Sequence, residues 1–76
     1  AELVTLFLWD EETFLHATEG SAIRRIGFER WLRNLAVALG NAPTSAEVVH
    51  ALRQRLDYPS ALVREHVEWA IARHGA

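Results

Sequence analysis

Between Phe28 and Leu39 the apolar residues Phe28, Trp31, Leu32, Leu35, Ala36 and Leu39 recur at i, i+3, i+4, i+7, i+8 and i+11. That spacing follows the helical period and lays one continuous apolar stripe down one face of a helix. A helix with such a stripe must bury it, so the rest of the chain has to supply a second layer of similar elements. Gly40 stands where a left-handed residue is wanted to end this helix, and Pro43 forbids its continuation.

The flanking segments have the same character. Residues 2–8 are apolar but too short to assign by period, fitting a short helix or the end of a longer element. Asp10 reads as an N-cap, with Glu11 and Glu12 in a first turn where carboxylates favour the positive end of the helix dipole. This helix is expected to run to about Thr18, with Gly20 stopping it and Ser21 capping the next. Ala22 to Ile26 gives one or two turns before Gly27, where the cost of a glycine inside a helix favours a kink or a fresh start.

Downstream, Thr44-Ser-Ala-Glu47 reads as a capping box that opens a further helix, its apolar face carried by Val48 or Val49, Leu52 and Leu56. Asp57-Tyr58-Pro59-Ser60 is a turn whose serine caps the last helix. There Val63, Val67, Ala70 and Ile71 form the main stripe, Leu62 and Trp69 a second edge, and Gly75 the stop. The expectation is an all-α chain of four to five helices in antiparallel hairpins, occupying residues 1–76 as one domain.

A chain of 76 residues can build one core, and with half of them hydrophobic it has the material to close that core without a disulfide or a structural metal. Cysteine is absent, which removes thiol nucleophiles, cysteine-ligated zinc and iron–sulfur ligation from this segment. The longest apolar run, Leu35 to Leu39, falls far short of the roughly 20 residues of a membrane span. No signal sequence is apparent at the start, so a cytoplasmic location is expected.

Net charge is −2, which argues against a general binder of polyanions. The distribution is uneven, however. Asp10, Glu11, Glu12 and Glu19 make the first quarter acidic, whereas Arg24, Arg25, Arg30 and Arg33 against the single Glu29 give residues 24–33 a local charge of 4 − 1 = +3. All eight basic residues are arginine, whose planar fork suits phosphates and stacks on bases. Arg30 and Arg33 are neighbours opposite the apolar stripe. They are the candidate nucleic-acid-binding residues together with Arg24 and Arg25, the competing reading being pairing with Glu29, with the acidic first helix or with a partner domain.

Other chemistry is sparse. His66 and His74 lie eight residues apart on one expected helix, about 12 Å along its axis and too far to share an ion. His16 and His50 fall on other helices, so no metal site is expected. No nucleophile with a base and no facing carboxylate pair can be drawn, Ser21, Ser45 and Ser60 being best explained as caps. Trp31 belongs to the core stripe, while Trp69 and Trp9 are open to either a packing or a stacking role.

Ala46 to Gly75 resembles one HEAT-type repeat, with an Asp-x-Pro-Ser turn followed by Leu62-Val63-Arg64-Glu65. Gly20-Ser-Ala-Ile-Arg-Arg-Ile-Gly27 and Leu32-Arg-Asn-Leu-Ala-Val-Ala-Leu-Gly-Asn41 resemble the C-terminal HEAT-like domain of the tRNA epoxyqueuosine reductases, enzymes of queuosine biosynthesis. The sequence departs from that family at Thr13, often acidic there, and near Thr18, often aromatic, which implies a looser first full helix.

The resemblance implies a piece from the C-terminus of a larger oxidoreductase. The parent's catalytic and ferredoxin-like domains would then be partners of this segment, and its 4Fe-4S clusters and cobalamin would be held elsewhere. It further implies that this piece binds tRNA near the anticodon and positions it. The alternative is a HEAT-type protein–protein scaffold with an Arg-rich docking face.

Overall fold

The computed structural model describes residues 2–76. Five α-helices follow one another: α1 (Glu2–Phe7), α2 (Glu11–Ala17), α3 (Gly27–Gly40), α4 (Ala46–Arg53) and α5 (Ala61–Arg73), with a 3-10 helix (Ala22–Ile26) leading into α3. The described residues contain no strand, and the chain is all-α as its periodicity requires.

Local sequence sets most boundaries. Asp10 accepts the Thr13 N–H at 2.8 Å, Ser21 that of Ile23 at 3.2 Å and Ser60 that of Val63 at 3.3 Å, each satisfying a donor that a helix start leaves without a partner. Gly20 and Gly75 adopt the left-handed φ of +76° and +71° expected of stops. Gly27, at +84°, converts the 3-10 helix into a fresh start for α3. Thr18 is buried and its hydroxyl donates to the Phe14 carbonyl at 2.6 Å, closing the end of α2.

Three expectations are corrected. The cap of α4 is Ser45, which accepts the Val48 N–H at 3.1 Å, and Thr44 stands outside the helix with its hydroxyl 2.6 Å from His74 Nδ1. Leu56 is exposed, because α4 ends at Arg53 and its helical phase no longer governs where later side chains point. Gly40 has no left-handed φ: it is the last helical residue of α3, fully packed, and Asn41 caps the end.

The core is the α3 stripe meeting that of α5. Leu32, Leu35, Ala36 and Leu39 interlock with Val63, Val67, Ala70 and Ile71, while Val48, Ala51 and Leu52 of α4 close one side. At one end the Ser60 hydroxyl donates to the Glu29 carboxylate and Phe28 meets Tyr58 edge-on at 6.2 Å. At the other, Arg73 Nε donates to the Gly40 carbonyl at 3.2 Å and His74 Nε2 to the Leu39 carbonyl at 2.7 Å. Both N-termini therefore lie together and both C-termini lie together. α3 and α5 run parallel, with α4 as the return between two successive reversals.

The first two helices bury Val4, Phe7 and Phe14 in the core and are also held by specific polar and aromatic contacts. Arg55, just after α4, donates from Nη2 to the Trp9 carbonyl at 2.7 Å and to the Phe7 carbonyl at 3.2 Å, with Nε also directed at Phe7. It thereby supplies donors to carbonyls at the end of α1, 46 and 48 residues away. Trp9 stacks on Trp31 at 5.8 Å, and Phe14 of α2 packs against Trp31 and Phe28. The molecule measures 38 × 25 × 16 Å. A helix with side chains is about 10–12 Å across, so the thin dimension leaves the long helices solvent-facing sides.

Candidate nucleic-acid interface

The outer side of α3 carries Arg30, Arg33 and Val37. At 100° per residue, these three lie within about 60° of one another and opposite the buried Leu32–Leu39 stripe. Arg30 is exposed and has no hydrogen bond or ion pair among the described residues. Arg33 is half-buried, and its Nε donates to Asn34 Oδ1 at 2.8 Å.

The two other arginines stand on a different element. Arg24 and Arg25 project from the 3-10 helix ahead of Gly27, both exposed, and Ile23 and Ile26 beside them are 47% and 41% exposed. The structure thus divides the four residues into a pair on the outer face of α3 and a pair set between exposed isoleucines. Glu29, the carboxylate nearest to them in sequence, accepts from the Ser60 hydroxyl instead of neutralising an arginine.

Beside the α3 row, α3 and α5 enclose a shallow groove of about 400 Å³ lined by Val37, Glu65, His66 and Trp69. Trp69 is 41% exposed, and the Arg73 guanidinium lies over its ring at 5.2 Å from the centroid. The edge of the ring sits against Gly40, where a Cβ would come within 2.5 Å of Cζ3. His66 Nδ1 is 2.7 Å from the Leu62 carbonyl; a carbonyl only accepts, so in the neutral ring Nδ1 carries the proton and Nε2 is left as an acceptor.

The arginines stand out in the sequence by their local charge, whereas the groove does not. The signal was available in the phase of Trp69, which falls well off the Val63, Val67, Ala70 and Ile71 stripe on a helical wheel. The role of Gly40 was not legible, because it is fixed by a residue 29 positions away.

Among the described residues no group of three or more His, Cys, Asp or Glu side chains could hold a metal ion. Iron–sulfur clusters take cysteine thiolates, and the chain has none. The segment therefore supplies no thiolate ligand for such a cluster. Among the described residues no helix is long and apolar enough to cross a membrane.

The described residues thus form an all-helical segment that carries Arg30 and Arg33 on α3 and the exposed Trp69 beside the α3–α5 groove. The chain is a homologue of one segment of the epoxyqueuosine reductases. It is 67% identical over 99% of its length to the epoxyqueuosine reductase of Pseudomonas aeruginosa and 64% identical over 99% to that of Xanthomonas campestris, spanning 21% of each. Against the Escherichia coli enzyme it is 60% identical over 93% of its length and spans 18%. The chain thus covers about a fifth of the relatives it matches. No family model matches it, and no solved structure matches it significantly.

Proposed function

We propose that this chain is the HEAT-like tRNA-positioning module of an epoxyqueuosine reductase, the oxidoreductase that completes queuosine in tRNA. The observation that carries this reading is the outer face of α3, where Arg30 is free to contact an anion and Arg33 lies one turn away, in a chain 67% identical to a segment of such an enzyme. Contacts from this face are to phosphate and ribose, which set the position of the RNA near its anticodon. Recognition of the modified base and its reduction belong to the catalytic domain, with its cobalamin and 4Fe-4S chemistry, and the place of work is the cytoplasm.

Arg24 and Arg25 favour a second reading for their own surface. Exposed isoleucines flank both, and such a mixed apolar and basic strip suits a protein contact, as in a HEAT-type scaffold docking on the catalytic or ferredoxin-like domain.

The test is a full-length reductase carrying this segment, compared with the same enzyme lacking it. The truncated enzyme should retain its cofactors and lose most of its affinity for substrate tRNA. Retained cofactors with undiminished tRNA affinity would overturn the proposal.

A further inference from the structure

We propose that the groove between α3 and α5 seats one unpaired nucleobase of the RNA whose backbone lies along Arg30 and Arg33, with guanine the best fit. The inference rests on the RNA-binding reading above and adds a contact that reads a base.

Trp69 is a positioned ring. Surface tryptophans without support lose entropy on binding, whereas this one has Arg73 over it at 5.2 Å, and Arg73 is itself tied to the Gly40 carbonyl at 3.2 Å. Gly40 leaves the room the ring needs against α3. An aromatic side chain that is 41% exposed yet fixed from two sides is preorganised for stacking.

The polar groups beside it set the chemistry of the occupant. Glu65 offers a carboxylate, and His66 offers Nε2 as an acceptor because Nδ1 is engaged by the Leu62 carbonyl at 2.7 Å. Two acceptors next to an aromatic ring call for a flat group bearing N–H donors. A phosphate would be repelled by Glu65, and a purely apolar side chain would leave both acceptors without partners. The Watson–Crick edge of guanine presents two adjacent N–H donors that a carboxylate can accept together, while its face stacks on Trp69.

Continuity with the arginine row favours RNA as the source. Val37, which forms the α3 wall of the groove, lies four residues beyond Arg33 and seven beyond Arg30, about 6 and 10 Å along the axis. Cations that track a backbone beside an aromatic platform are the combination that holds single-stranded nucleic acid.

The experiment measures binding of stem-loop RNAs to a full-length reductase carrying this segment, at several salt concentrations. The probes are one loop with a single unpaired guanine and the same loop with an abasic position there. Trp69→Ala should weaken binding of the guanine loop by about tenfold without altering the salt slope, and should leave the abasic loop nearly unaffected. Because that variant disturbs the contact with Gly40, Glu65→Gln supplies a second arm: it should weaken the guanine loop several-fold and spare the abasic one. If both variants bind the two loops as the parent does while Arg30→Glu with Arg33→Glu flattens the salt slope, the base seat is wrong and the RNA reading stands. An equal loss for both loops would make Trp69 a structural residue and also overturn the seat. If the arginine pair has no effect either, the RNA reading falls and the seat with it.

Discussion

Gly40 and Trp69 meet so closely that a side chain at position 40 would have to displace the ring: a Cβ there would lie 2.5 Å from Trp69 Cζ3 and 3.1 Å from the Ala70 Cα. Gly40→Ala brings a gain of up to about 1 kcal/mol from helix propensity and an overpacking cost of about 1–3 kcal/mol. The cost outweighs the gain over most of that range, with a net loss of up to about 2 kcal/mol expected in a urea or thermal melt. Trp69→Leu in the same chain should recover part of that loss. An alanine variant as stable as the parent would show that the ring swings away freely, and that it is not the fixed platform described above.

Arg55 joins the two ends of the fold. Its guanidinium supplies three donor contacts to the Phe7 and Trp9 carbonyls and lies near the rings of Phe7 and Tyr58, at 6.0 and 5.7 Å. Hydrogen bonds from charged groups contribute about 1.5–3 kcal/mol, so Arg55→Met should destabilise the chain by about that amount. The loss should be concentrated in α1. Hydrogen exchange resolves this: faster exchange confined to residues 4–9 is expected, and uniform acceleration throughout the core would contradict a local clasp.

Asp10 gives the fold a dependence on acid. Hydrogen bonds from Thr13, through its side chain and then its backbone, hold the Asp10 carboxyl below its ordinary value of 3.8, and the charge of Arg55 adds to the effect. Since the folded value lies below the unfolded one, the ionised cap stabilises the fold above the unfolded value, and this contribution is lost as pH falls through the folded value. Asn caps as well as Asp without titrating. Asp10→Asn should therefore flatten the acid limb of a Tm-versus-pH curve while leaving Tm near neutrality almost unchanged. An acid limb of unaltered steepness would assign the dependence to other carboxylates.

What the sequence made legible was whatever depends on near neighbours. The stripe from Phe28 to Leu39 and that of Val63, Val67, Ala70 and Ile71 are periodic, and all but the half-buried Trp31 lie in the core. Asp10, Ser21 and Ser60 cap because each acts within three residues. The misread positions are set at long range. Thr44 is drawn out of a capping role by His74, Gly40 is glycine because of Trp69, and nothing near Arg55 marks it as the residue that closes α1. The candidate site follows the same rule: Arg30 and Arg33 were found from local charge, whereas the groove exists only once α3 and α5 lie parallel.

If the outer face of α3 grips tRNA, the salt dependence of binding must change when its arginines are removed. In a full-length epoxyqueuosine reductase carrying this segment, each arginine–phosphate contact adds roughly 0.7–0.9 to the slope of log affinity against log salt. Arg30→Glu with Arg33→Glu should weaken substrate tRNA binding strongly and flatten that slope by about 1–2 units. Helical signal and melting temperature should change little, because Arg30 is exposed and Arg33 bonds only its chain neighbour Asn34. Unchanged affinity and slope in a well-folded double variant would contradict the claim and leave this face as a docking surface for protein.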